Sequence, residues 1–155
     1  MPRETMRRTA ADNVYLHKDF HGALSQGLDY LCRRYGEQAV REYLRQFTLR
    51  YYAPLRQELF SRGLVALKEH FERVYAVEGG RLSTRLADDE LVLEIEACPA
   101  VIHMRENGQT VSPLFRETSR VVNEALCEGT PYRAELLEYR DEDGRSVQRF
   151  VRRHP

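Results

Sequence analysis

Hydrophobic residues recur at every third or fourth position through the first half of the chain, which is the spacing of amphipathic helices. Capping and helix-breaking residues divide this half into four predicted helices, which run from Asn13 to about Tyr35, from about Glu37 to Tyr52, from Pro54 to Arg62, and from Gly63 to Gly79-Gly80. The first helix is expected to turn these residues towards the core: Leu16, Phe20, Ala23, Leu24, Gly27, Leu28 and Leu31.

The second half begins and ends with the two-residue alternation that is typical of half-buried strands. Two hairpins are predicted, one pairing residues 81–86 with 91–97 and the other pairing residues 132–140 with 145–152 across the turn Asp141-Glu142-Asp143-Gly144. The last hairpin carries a row of basic residues that we expect on a solvated sheet edge: Arg145, Arg149, Arg152 and Arg153.

Two helical segments are predicted between the hairpins. A short helix follows Pro99, and a longer one starts at Ser112-Pro113 and runs to about Cys127, with Glu117 on its outward face. We therefore predict one α+β domain over residues 1–155, in which N-terminal helices precede a four-stranded antiparallel sheet of two hairpins with a helical crossover. Residues 1–12 are polar and are expected to be frayed.

Composition excludes several classes of function. The chain has 24 basic and 24 acidic residues, which gives no electrostatic reason to bind nucleic acid. Its uncharged apolar stretches are far shorter than the roughly 20 residues that span a membrane, and no signal peptide is recognisable. Three cysteines without a CxxC pair favour a reduced, cytoplasmic compartment. A homodimer through the tyrosine-rich helices or a sheet edge is compatible with this composition.

The junction between the second predicted strand and the following helix is the first candidate for chemistry. Pro99 fits the first position of a helix, so Cys98 becomes its predicted N-cap. The positive end of the helix dipole can lower the pKa of such a thiol and favour the thiolate. Cys98 is then either a nucleophile or ligand-binding residue, or an inert half-buried residue at a turn.

A histidine pair on the first helix is the second candidate. His17 and His21 are four residues apart, so their rings lie on one side of the helix, as in helical metal sites. Zinc requires three or four ligands, so a metal is expected only if Cys98 and His103 complete the set, and the sequence identifies no cofactor. The alternative is a pair of amphipathic residues at a boundary between helix and sheet.

A cysteine–histidine catalytic pair is the third candidate. Cys98 and His103 are separated by about 140° around a helix axis, so they are not expected to touch. His17 or His21 would instead reach Cys98 through the tertiary structure, with Asp19 or Glu96 orienting the ring. The candidate catalytic residues are therefore Cys98, His17, His21 and His103.

Two short segments and the order of the elements carry a resemblance to a known family. The helical first half, the stretch Val-Leu-Glu-Ile-Glu-Ala-Cys-Pro-Ala (residues 92–100) and the strand Gly-Arg-Ser-Val-Gln-Arg-Phe (residues 144–150) resemble the L-2-amino-thiazoline-4-carboxylic acid hydrolase-like family. The layout is also similar to that of 4-vinyl reductase-type domains. The resemblance implies hydrolytic opening of a small heterocycle at a carbon–nitrogen bond.

Two functions from different classes follow. In the first, the protein is a small-molecule hydrolase in which Cys98 is nucleophile or ligand, His21 or His17 is the base, and an arginine holds a carboxylate. In the second, the domain binds a small ligand without catalysis, as a sensor or accessory domain. The first requires Cys98 and a histidine to converge in a pocket; the second does not.

Overall fold

The computed structural model describes residues 18–154. Its elements, in chain order, are α1 (Asp19–Tyr35), α2 (Glu37–Tyr51), α3 (Ala53–Arg62), α4 (Leu64–Glu78), β1 (Arg81–Leu86), β2 (Glu90–Ala97), α5 (Pro99–Glu106), α6 (Glu117–Cys127), β3 (Tyr132–Tyr139) and β4 (Ser146–Arg152). The predicted α+β class and the order of helices and strands are confirmed. The predicted start of the first helix at Asn13, and with it His17, lies outside the described residues.

The strands of the described chain form one antiparallel sheet in the order β1-β2-β4-β3. Both predicted hairpins are present, and β2 joins them by pairing with β4 as well as with β1. β4 is therefore a central strand, and the expectation that its arginines form a solvated sheet edge was wrong. Arg149 instead bridges both neighbouring strands through ion pairs with Glu90 of β2 (2.7 Å) and Glu135 of β3 (3.0 Å).

The buried hydrophobic residues form two clusters. The first joins α3, α4 and α6 to the sheet through Leu59, Leu67, Leu93, Leu126 and Phe150. The second joins α1, α2 and α6 to α5 through residues that include Leu28, Leu44, Val101, Met104 and Val121. Because α5 is anchored by this second cluster, the residues on its other side are held at a defined position beside α1.

The buried face of α1 agrees with the prediction in part. Leu28 is buried, and Leu24 and Leu31 pack against the second cluster as predicted. Phe20 is 60% exposed, however, and Gly22 and Ser25, which were not predicted to face inward, are buried. The Ser25 hydroxyl accepts a hydrogen bond from the N–H of Ser112 (2.8 Å) and donates one to the carbonyl of Thr110 (3.1 Å). A polar contact with a distant loop thus sets the rotation of α1, and hydrophobic periodicity does not register such contacts.

The start of α6 also corrects the prediction. Residues 113–116 form turns, and the α-helix begins at Glu117, which is 4% exposed rather than outward-facing. Its carboxylate lies 2.6 Å from Arg120 and 3.7 Å from Arg41 of α2. Burial of this carboxylate is possible because two guanidinium groups stand beside it.

A row of packed aromatic rings connects α4 to the sheet and to Tyr52, which lies between α2 and α3. The ring of His70 packs edge-on against Tyr52 (5.6 Å between centroids) and against Phe71 (5.3 Å), and Phe71 contacts Phe150 (5.8 Å). Burial lowers the pKa of His70 from 6.5 to about 4, and the charge of Arg73 acts in the same direction. The folded protein therefore holds His70 in the neutral form.

We predict that His70 makes the fold less stable in mild acid. The unfolded chain takes up a proton on His70 below pH 6.5, whereas the folded chain does so only near pH 4, so the free energy of unfolding falls across that interval. The expected loss is about 3 kcal/mol between these limits. Urea denaturation at pH 7 and pH 4.5 measures it, and His70→Phe should show a smaller loss than the parent protein.

The exposed His154 provides the matched control for this experiment. His154→Gln should keep the full loss of stability in acid. Equal losses in the parent protein and in His70→Phe would contradict the prediction, because the carboxyl groups that titrate in the same interval are common to both.

Candidate functional site

The junction between β2 and α5 has the predicted geometry. Cys98 is extended (φ −79°, ψ 119°) and caps α5, and Pro99 occupies the first helical turn. The N–H of Cys98 donates a hydrogen bond of 2.8 Å to the carbonyl of Asp143 in the β3–β4 turn. Gly144, next in that turn, has a φ of 69° and lies against Cys98 and Val101 with no room for a β-carbon. The turn therefore fixes where the strand stops and the helix begins.

The protonation state of Cys98 corrects the prediction of a thiolate. The half-buried residue makes no side-chain capping hydrogen bond with the described residues. Burial raises the pKa of the Cys98 thiol, and the negative charge of Glu78 adds to the rise. The backbone N–H groups of Ala100 and Val101 act in the opposite direction but do not compensate for the loss of water. The Cys98 thiol is therefore neutral at physiological pH.

Two tyrosines share the buried surroundings of this thiol. Burial raises the pKa of Tyr75 on α4 and of Tyr139 at the end of β3, and in both cases the nearby Cys98 adds to the effect. Glu78 contributes to the rise at Tyr75 as well. The thiol and both phenols are thus held in their neutral, protonated forms.

His21 contacts this cluster through Glu78. Its Nε2 lies 3.1 Å from Glu78 Oε1, and the two side chains are 16% and 9% exposed. Within the described chain, no hydrogen bond joins Cys98 to His21 or to His103. Glu78 therefore stands between the predicted cysteine and histidine: it is hydrogen-bonded to His21, and its charge acts on Cys98.

His103 forms a second histidine–carboxylate pair. Its Nε2 lies 3.1 Å from Oδ1 of Asp19, and the amide of Asn107 approaches its Nδ1 at 3.4 Å. Asp19, which was expected to orient His17 or His21, contacts His103 on α5. The His103 side chain is 22% exposed, so its ring remains accessible from solvent.

An open cavity of about 430 Å³ lies beside both pairs. Its wall carries charges of both signs and one imidazole: Lys18, Arg81, Glu78, Glu96, Glu106 and His103. Ala97 and Pro99, which flank Cys98, also line it. Of the predicted residues, His103 lines the cavity, whereas Cys98 and His21 lie behind its wall: Cys98 is flanked by the lining residues Ala97 and Pro99, and His21 contacts the lining residue Glu78. His17 lies outside the described residues.

Glu78 and Tyr139 were missed from the sequence. Glu78 occupies the last turn of α4, where the helix dipole disfavours a negative charge and where no basic residue is present. A carboxylate in that position indicates that a tertiary partner stabilises it, and here the partner is His21. Tyr139 had no comparable signal, because its position depends on the pairing of β3 with β4.

Residues 18–154 contain neither a metal-binding cluster nor a membrane-spanning helix. No group of three or more His, Cys, Asp or Glu side chains in this part of the chain is placed to hold a metal ion. None of its helices combines the length and the apolar character needed to cross a bilayer.

Comparison with known proteins adds no family assignment. No protein-family model matches the sequence, and no curated protein is significantly similar to it. The hydrolase resemblance therefore rests on the short sequence segments and the order of elements alone, and the activity that it implies stays a prediction.

We predict that Gly144→Ala damages the junction more than Gly108→Ala does. Both glycines have left-handed φ values, 69° and 66°, so both substitutions carry the same backbone strain. A β-carbon at Gly144 collides with Cys98 and Val101, whereas one at Gly108 meets open space. Gly144→Ala should therefore lower the free energy of unfolding by about 1–3 kcal/mol more than Gly108→Ala, as measured in urea. Equal losses would contradict the close contact between turn and junction.

Proposed function

We propose that the protein is a hydrolase that opens a small, carboxylate-bearing heterocycle at a carbon–nitrogen bond. The observation that supports this most directly is the pair formed by His103 and Asp19 at the rim of a cavity that also presents Lys18 and Arg81. An oriented imidazole beside bound substrate is the usual requirement for general-base activation of water.

The hydrogen bonds of His103 define how it would act. With Nε2 donating to Asp19, the lone pair of the neutral ring is on Nδ1, where Asn107 makes only a long contact of 3.4 Å. Water held at Nδ1 gives its proton to the ring as its oxygen attacks the substrate carbon. The imidazolium, stabilised by Asp19, then protonates the ring nitrogen as the carbon–nitrogen bond breaks.

The charges on the cavity wall fit a substrate that carries both signs. Lys18 and Arg81 can bind a carboxylate, while Glu78 and Glu96 can bind an amidine or ammonium group. The 2-amino-thiazoline-4-carboxylate ring of the resembling family has both groups. Glu78 keeps its orientation through His21, so His21 acts in this proposal as a positioning residue.

A ligand-binding function without catalysis is the second candidate, and the raised pKa of Cys98 favours it. A neutral thiol is a poor nucleophile, so covalent catalysis by Cys98 would need a base, and none of the described histidines is hydrogen-bonded to it. The cavity would then bind the same zwitterionic class of molecule and release it unchanged.

We predict that His103→Gln abolishes turnover but not binding. The assay incubates the protein with 2-amino-thiazoline-4-carboxylate and related small heterocyclic acids, and mass spectrometry follows a product heavier by one water. Loss of the general base should reduce kcat/KM by about 10²–10⁴. Asp19→Asn should have a smaller effect, because Asp19 only orients the ring and stabilises its charge.

His154→Gln is the matched control, because His154 is exposed and does not line the cavity. It should retain parent activity. Turnover that survives unchanged in His103→Gln would contradict the assigned base. If the parent protein binds the acids but forms no product, the hydrolase proposal is wrong and the ligand-binding function takes its place.

A further inference from the structure

A second cavity of about 490 Å³ opens between α2, the start of α6 and the end of β3. Its wall includes three arginines, two leucines and a tyrosine: Arg41, Arg116, Arg120, Leu136, Leu137 and Tyr139. Glu117 and Glu138 complete it. It shares none of its residues with the first cavity, and the proposed hydrolase activity makes no use of it.

One arginine of this cavity is partly buried and is held beside Glu117. Arg41 Nε is buried and has no hydrogen-bond partner among the described residues, since the nearest Glu117 oxygen is 3.7 Å away. The other Glu117 oxygen is in contact with Arg120 (2.6 Å). This N–H is shielded from solvent, so a ligand in the cavity would contact the other N–H groups of Arg41 together with the guanidinium groups of Arg116 and Arg120.

The remaining contacts of the arginines lie towards solvent. They are the ion pairs Arg41–Glu37 (2.8 Å), Arg116–Asp141 (2.6 Å) and Arg120–Glu124 (3.2 Å). Exposed pairs of this kind contribute about 0–1 kcal/mol each, so a ligand can compete with them. Each guanidinium has five N–H donors, and these pairs leave several available on each arginine.

Charge and shape restrict the class of ligand. Three arginines against two glutamates leave one net positive charge on the wall, which matches a monoanion rather than a dianion. Leu136 and Leu137 supply an apolar surface beside Tyr139, over whose ring the Arg116 guanidinium lies at 5.4 Å. Burial raises the pKa of Tyr139, so its phenol is neutral and does not repel an anion.

We propose that this second cavity is a binding site for a small monocarboxylate with an apolar body. The carboxylate would sit between Arg41 and Arg116, and the apolar part would lie on the leucines of β3. This site is separate from the first cavity, so it stands whether or not the protein is a hydrolase.

The test uses 3-phenylpropionate and its neutral isostere 3-phenylpropanamide as probes in isothermal titration calorimetry. The acid should bind and the amide should bind at least about tenfold more weakly, because the amide cannot form charge-assisted hydrogen bonds with the arginines. Arg116→Gln and Arg41→Gln should each weaken binding of the acid by about tenfold or more. Arg50→Gln, an exposed position on the same helix as Arg41, should leave binding unchanged.

Thermal denaturation identifies any variant that fails to fold. Arg41 stands beside buried Glu117, so if Arg41→Gln unfolds, the test depends on Arg116, which is partly exposed. Equal binding of acid and amide, no binding of the acid, or parent affinity in Arg116→Gln would each overturn the proposal. Arg81→Gln, which removes a proposed carboxylate-binding group of the first cavity, should bind the acid normally, and loss of binding there would place the probe in the first cavity and also overturn the proposal.

Discussion

The hydrogen bond from the N–H of Cys98 to the carbonyl of Asp143 is the contact on which the site depends. It ties the point where β2 becomes α5 to the turn of the distant β3–β4 hairpin. Gly144, the next residue of this turn, packs directly against Cys98 and Val101. Because these residues are fixed, α5 leaves the sheet in one direction only, and its residues reach α1.

The position of α5 brings together residues that are far apart in the sequence. His103 meets Asp19 at the start of α1, and α1 in turn carries His21 to Glu78 at the end of α4. The second hydrophobic cluster packs α5 against α1 and α2 and so keeps these residues in contact. The first cavity thus lies where the start of α1, the end of α4, helix α5, the start of β1 and the end of β2 meet, and charged side chains from these elements line it.

Competition between burial and local dipoles decides the chemistry of this region. Cys98 has the backbone position that was expected to make it a thiolate, and the amides of Ala100 and Val101 do act in that direction. Burial outweighs them, since removing a thiolate from water costs more than two partly aligned N–H groups restore. His103 lines the cavity and is oriented by Asp19, which is why the proposed base is the histidine rather than the cysteine.

The sequence predicted the elements well because their signals are local. Periodicity, Pro99 and the Asp-Gly turn located the helices, the junction and the last hairpin to within a few residues. The sequence-based prediction was wrong or incomplete where a side chain's partner lies far away in the sequence. Glu117 is buried because Arg41 and Arg120 lie beside it. Asp19 contacts His103 because α5 packs next to α1. Insertion of β4 beside β2, which made Arg149 a bridge between strands, was equally invisible to a local pattern.

Amide hydrogen exchange at Cys98, followed by NMR, tests the role of this junction most directly. If the bond to Asp143 holds the strand–helix junction in place, the Cys98 amide should exchange only through global unfolding, with a free energy equal to that from urea denaturation. Exchange that is orders of magnitude faster, at the rate of an exposed loop amide, would show that the turn does not hold the junction. The first cavity would then lack the fixed frame on which the proposed function depends.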